Sequence, residues 1–147
     1  TGCNIPFYPE GAKVTGIDLS PAMLARARRR REKLGTGVDL FEMNVMALDF
    51  ADDSFDGVIS TFLFCVPEPE HQRPALEELR RVCRPGGTIR ILEYALSENP
   101  LQRAVMKLMA PWVRFAYGAA FDRRTEQYLE AAGLELLEKK FSIGTSS

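Results

Sequence analysis

Residues 12–35, AKVTGIDLSPAMLARARRRREKLG, set a β-like octet directly against a helix start, and this constrains the fold more than any other stretch. AKVTGIDL reads as a strand. Ser20 offers an N-cap, and Pro21 suits the first helical position, where a missing N–H costs nothing. AMLARARRRREKL then keeps helical spacing until Gly35. A strand feeding straight into a helix is the repeating unit of a parallel sheet covered by helices.

The same order recurs down the chain. VDLFEM is a second strand, DFADDSFD an acidic turn, and GVISTFLF a strand expected to be buried by its β-branched and aromatic content. PEHQRPALEELRRVCR reads as a helix carrying Ala75, Leu76, Leu79, Val82 and Cys83 on its apolar side, stopped by Pro85-Gly86-Gly87. TIRILEY is a further strand, RTEQYLEAAG a shorter helix and LELLEKKFSI a last strand. The expected architecture is α/β: a doubly wound, mostly parallel sheet within a single domain over residues 1–147, incomplete at both ends.

Composition narrows the function classes. Nineteen Lys and Arg against twenty Asp and Glu give a net charge of −1, so no global attraction to nucleic acid is implied. Cys3, Cys65 and Cys83 form no C-x-x-C pair, and with one histidine no zinc set is expected. They read as reduced thiols, which with the lack of a visible signal peptide gives a cytoplasmic expectation. The apolar stretch from Ala104 to Phe121 is broken by Lys107, Pro111 and Arg114, so it reads as a lid, a surface segment or a core helix rather than a membrane span.

In open parallel sheets, ligands bind beyond the carboxyl ends of the strands, so the residues leaving each strand carry the chemistry. Asp18 leaves the first strand: it can accept two hydrogen bonds from a ribose diol, or support the helix start as a solvated turn residue. Asn44 leaves the second with an amide donor and a carbonyl acceptor, suited to an adenine edge or to an ordinary Asx turn. Ser60, Thr61 and Phe62 leave the third, offering small hydroxyls and an aromatic face, with core packing the other reading of Phe62. Gly35 to Gly37 follow a helix and precede a strand, which makes GTG a helix stop and not a phosphate loop. The run Arg28 to Arg31 reads as a solvated helix face, and His71 as a helix-start residue with no catalytic role.

Taken together, the blocks TGCN, GIDLSPAML, MNVMALDFADDSFDGVIS and LEELRRVCRPGGTIRILE resemble, in order and spacing, the class I S-adenosylmethionine-dependent methyltransferases, a Rossmann-like fold. The resemblance covers nearly the whole chain and lies closest to the branch of ubiquinone and menaquinone C-methyltransferases and phosphatidylethanolamine N-methyltransferases. It implies S-adenosyl-L-methionine as cofactor, with Thr1 and Gly2 in the glycine-rich loop beside the methionine part. Asp18 would hold the ribose hydroxyls, and Leu19 and Met23 would pack the adenine. Asn44 and Val45 would read the adenine edge, by side chain and backbone amide, and Thr61 and Phe62 would line the cofactor next to the acceptor. The family usually has Asp where this chain has Asn44, whose amide oxygen can still accept from the adenine amino group.

Methyl transfer from a sulfonium demands orientation and water exclusion more than acid catalysis, so a missing His–Asp pair is no objection. An acceptor needing a base would find Glu93 or Tyr94 at the tip of the fifth family strand; Glu93 can instead hydrogen-bond the loop that follows it. Within residues 97–121, read as a lid or substrate-covering helical insertion, Leu101, Val105, Leu108, Met109 and Trp112 share one helical face. Arg103, Lys107 and Arg114 share another, and Pro111 breaks the helix. This pattern suits a lipidic or apolar acceptor and peripheral contact of residues 100–121 with a membrane, with packing on the sheet as the alternative. No nucleic-acid partner is expected. Two rival classes remain: a nicotinamide-dependent oxidoreductase, which shares an acid such as Asp18 but not the DLSPAML, DDSFD and RPGG blocks, and a catalytically silent methyltransferase-like binding module. The resemblance also implies a family strand before TGCN and another after FSIGTSS, so these residues alone are expected to fold poorly and bind cofactor weakly.

Overall fold

The strand–cap–helix unit forms as its residues dictate. In the computed structural model, which describes residues 1–93, 104–106, 108–110, 112 and 125–140, β1 spans Thr15–Asp18 and α1 spans Pro21–Leu34. Ser20 Oγ accepts from Met23 N, and the N–H of Gly35 closes the other end on the carbonyls of Arg31 and Glu32. Arg31 departs from the expected solvated face: its guanidinium donates to Val38 O at 3.2 Å, tying the last turn of α1 to the approach of β2 (Asp39–Glu42). β1 and β2 pair in parallel with Thr15 opposite Asp39 and Asp18 opposite Glu42. Ile5, Leu24, Ala27, Val38, Val45 and Leu48 are buried with them.

β3 (Phe55–Thr61) starts two residues before the expected GVISTFLF strand and stops three earlier, because Phe62 takes a positive φ of 54° that no strand accommodates. It is also less buried than expected, with Ile59 55% exposed. α2 (Pro69–Val82) buries Ala75, Leu76, Leu79 and Val82, as the apolar spacing requires. The helix ends at Val82, before the Pro-Gly-Gly, and β4 (Cys83–Leu92) runs through that triplet. β4 pairs in parallel with β3, with a register irregularity between Phe55 and Gly57. At Gly87 a Cβ would lie 2.7 Å from Cys83 Sγ and 2.8 Å from Asp56 O, so the close approach there requires glycine.

The expected helix at RTEQYLEAAG is instead two short 3₁₀ turns, Thr125–Tyr128 and Glu130–Ala132. Of the expected last strand, residues 141–143 lie outside the described residues and 134–140 form no strand: among the described residues they have no ladder partner, and four of the seven are Glu or Lys, which strands disfavour. The described strands thus form two two-stranded parallel sheets, β1–β2 and β3–β4, where one doubly wound sheet was expected. The sheets fall in two compact units, Thr1–Asp49 and Phe50–Ser147. Among the described residues no helix is long and apolar enough to cross a membrane.

Candidate functional site

The tip of β1 is shaped by one ladder bond from β2 and by bonds between near neighbours. The backbone nitrogen of Met43 donates to Asp18 O at 3.2 Å, which brings the end of β2, and hence Asn44, beside the end of β1. Asp18 Oδ1 accepts from Ser20 N at 2.9 Å, turning the carboxylate over the helix start. Its Oδ2 lies 3.9 Å from the Thr1 backbone nitrogen, and the side chain is 36% exposed. One oxygen thus supports the helix while the other is presented toward the TGCN turn. The helix-start reading of Asp18 is thus met through Oδ1, which leaves lone pairs on Oδ2.

Gly2 has φ +69°, and a Cβ on it would lie 2.8 Å from Ile5 Cδ1 and 3.0 Å from Ala27 Cα. Its close approach is thus to the backbone of α1, which seats the turn on the helix. Leu19 is exposed and Met23 half-buried, flanking the carboxylate along the chain. Asn44 forms the Asx turn that its type allows: Oδ1 accepts from Met46 N at 3.0 Å, and its carbonyl accepts from Ala47 N. Val45 turns its side chain into the core. These residue types suit the adenosine part of S-adenosylmethionine: a carboxylate with lone pairs left for hydroxyl groups, and an exposed Leu19 and half-buried Met23 near it in the chain as apolar side chains for a ring.

The tip of β3 is built from distant parts of its unit. Phe62 N donates to Leu92 O at 2.8 Å, extending the ladder one step beyond Thr61. The chain then turns at Phe62, which is 44% exposed, and plunges so that Phe64 is fully buried. Glu93, the next residue after β4, accepts from Phe64 N with Oε1 at 2.6 Å and from Cys65 N with Oε2 at 3.2 Å. Both oxygens of the candidate base therefore hold the loop after β3. Burial raises the Glu93 carboxyl above its ordinary range, opposed by these backbone donors, Phe64 N–H foremost. Burial likewise pushes the Cys65 thiol up to about 11, with the Glu93 charge beside it adding to the effect. Gln72 on α2, 1% exposed, donates from Nε2 to Phe64 O at 2.7 Å and to Pro67 O at 3.1 Å. Its Oε1 accepts from Thr125 Oγ1 at 3.1 Å. Ser60, one step before Thr61, is buried, and its Oγ has no partner among the described residues.

Sequence reasoning missed Gln72 and Phe64. Their only signal was composition: an amide and a phenylalanine in apolar company, with nothing local to show what they would bond or fill. Tyr94 lies outside the described residues, as do Leu101, Arg103, Lys107, Pro111 and Arg114. Of the insertion, residues 104–106, 108–110 and 112 are helical, and Leu108 and Trp112 are 82% and 75% exposed. Val105 and Met109 are also exposed. His71 is exposed, and among the described residues no cluster of His, Cys, Asp and Glu could hold a metal ion.

The sequence matches the family described as a methyltransferase domain over residues 2–87. It is 43% identical over 114 residues to a phosphatidylethanolamine N-methyltransferase of Cereibacter sphaeroides, covering 75% of this chain and 54% of that protein. It is 43% identical over 84 residues to a demethylmenaquinone methyltransferase of Thermus thermophilus, covering 57% of this chain and 37% of that one. The chain thus spans about half or less of the length of these relatives. In fold it is similar to the crystal structure of a SAM-dependent methyltransferase from Methanosarcina mazei, with a TM-score of 0.62 and 24% identity over 80% of this chain and 58% of that one. With more than half its residues matched, the chain belongs to the methyltransferase-domain family, which has a Rossmann-like fold and S-adenosylmethionine as its methyl donor.

Proposed function

We propose that the complete protein methylates a small lipidic or apolar acceptor, of the class of phospholipid amines or quinone precursors. The bound cofactor would supply a methyl group on a cationic sulfur, so the protein's task is to orient and to exclude water. In this reading Thr1 and Gly2 lie beside the methionine part, and Asp18 accepts from the ribose hydroxyls. Leu19 and Met23 cover the adenine, Asn44 and Val45 read its edge, and Thr61 and Phe62 line the acceptor side. Glu93, directly after β4, and Tyr94, outside the described residues, are assigned to the acceptor side.

The observation that carries the acceptor class is the exposed set Val105, Leu108, Met109 and Trp112 at helical spacing. Four large apolar side chains on one helical face, facing water, are suited to a bilayer surface or a lipid tail. The names of the two relatives point the same way. Incubating the complete protein with isotope-labelled S-adenosylmethionine and a membrane extract, followed by mass spectrometry, should yield a labelled lipid or quinone. Cofactor binding without product across lipid, quinone and amine panels would instead mark a silent binding module, and binding of NAD alone an oxidoreductase. Trp112 is the one tryptophan in the chain, so its fluorescence reports on this helix directly. Phosphatidylethanolamine vesicles containing anionic lipid should shift it to the blue, and an unchanged spectrum would remove the membrane contact.

A further inference from the structure

A non-glycine residue at positive φ costs free energy, and it persists only where its surroundings over-determine it. Phe62 is such a residue, at φ 54°, and the loop behind it accounts for how it is held. Phe62 N is bonded to Leu92 O, and Phe62 O accepts from the Cys65 thiol at 3.2 Å. Val66 N closes back on Leu63 O at 3.1 Å. The N–H groups of Phe64 and Cys65 go to Glu93, and the carbonyls of Phe64 and Pro67 go to Gln72. The loop has thus handed its donors to the end of β4 and its acceptors to α2. Phe64 anchors it below, fully buried, while Phe62 is left 44% exposed above.

We propose that Glu93 is a positioning residue: its carboxylate, gripping the Phe64 and Cys65 amides, sets the turn that presents Phe62 at the tip of β3. Each Glu93 oxygen accepts from a backbone N–H of its own unit, so the carboxylate is fixed to the loop at both ends, as positioning requires and as general-base catalysis does not. A carboxylate is also the one side chain that accepts twice in this fork without offering a donor. Gln72 holds the same loop from the opposite side and, being buried, has no route to an acceptor. That Phe62 faces the methyl acceptor rests on the proposed methyl transfer; the grip on the loop does not.

The amide resonances of Phe64 and Cys65 in the complete, unsubstituted protein test the grip without any variant. Both should titrate together with Glu93, above the ordinary glutamate range; amides that do not follow Glu93 would overturn the proposal. Glu93→Gln places an amide N–H₂ against one of the two backbone donors. Methyl transfer to phosphatidylethanolamine vesicles should then fall about ten- to a hundredfold in kcat. Affinity for S-adenosylmethionine, by calorimetry, should stay within about threefold. The kcat deficit should persist as pH rises through the acceptor's own titration, since misplacement does not depend on who removes the proton. A deficit that vanishes at alkaline pH, with Phe64 and Cys65 amide exchange unchanged, would make Glu93 a base and refute positioning. Should Glu93→Gln fold poorly, Gln72→Leu reads the same loop from the other side: faster exchange at Phe64 and Cys65 with a matching loss of kcat is expected, and faster exchange with full activity would refute the proposal. Absence of any cofactor binding by the unsubstituted protein would remove the methyl-transfer reading alone, leaving the amide titration to decide the grip.

Discussion

At the tip of β1, apart from the ladder bond of Met43 to Asp18, the bonds that shape the chain join residues two or three apart: Ser20 to Asp18, Met23 to Ser20 and Met46 to Asn44. At the tip of β3 they join residues 28 and 29 apart through Glu93, and Thr125 reaches Gln72 across 53. The first tip is therefore written into a short peptide, and its geometry needs little more than α1 and β2 to persist. The second exists only once β4 and α2 have docked. A local turn tolerates change in the rest of the molecule, while a turn held from three distant points couples a strained Phe62 to the packing of its whole unit.

The largest effect should come from the anchor of that second tip. Phe64→Ala removes a fully buried aromatic and should cost about 3–5 kcal/mol of stability in denaturant titrations. Phe62→Ala, two residues away on an exposed side chain, should change stability by no more than about 0.5 kcal/mol. Equal costs at the two positions would break the distinction between anchor and presented residue. At the first tip the expected loss is in binding. Asp18→Ala should weaken S-adenosylmethionine affinity at least about tenfold by calorimetry in the complete protein, the scale of one charge-assisted hydrogen bond. Asp18→Asn sharpens this, because its amide oxygen can still accept from Ser20 N. Binding should fall there too, with the helix start intact, and unchanged affinity in both variants would remove the ribose role.

The same contrast decides what could be read from the sequence. Ser20, Pro21 and Gly35 gave the bounds of α1 because caps act through adjacent residues, and the spacing of Ala75, Leu76, Leu79 and Val82 gave the buried side of α2. The Asx turn at Asn44 was legible for the same reason. What failed was set by partners far along the chain. The end of β3 at Thr61 follows from the turn that Glu93 and Gln72 impose, which no local pattern announces. LELLEKK, expected as the start of a last strand, has no ladder partner among the described residues, and its Glu and Lys disfavour one. Glu93 was picked out by its place after a strand; that it reaches back to Phe64 and Cys65 required knowing the β3–β4 register. Propensity sees the neighbourhood, and the tip of β3 is made from elsewhere.

The smallest expected effect falls where the first tip has redundancy. Ser20 Oγ sits 3.4 Å from Met23 N, at the long end of a hydrogen bond, so this cap contributes toward the lower limit of its kind. Two other features start α1 without it: Asp18 Oδ1 holds Ser20 N at 2.9 Å, and Pro21 fixes the first helical φ. Ser20→Ala should therefore cost only about 0.5 kcal/mol in denaturant titrations. It should also leave cofactor affinity within about twofold, since Asp18 keeps its position through the backbone of residue 20 and not through the hydroxyl. A cost near about 2 kcal/mol, the upper end for such caps, would mean that Asp18 and Pro21 do not substitute for the hydroxyl. In that case the double change Asp18→Ala with Ser20→Ala would separate the two, because partners in one turn are not additive: a combined cost exceeding the sum would show each compensating for the other, and a simple sum would show that the first tip is built from independent contacts.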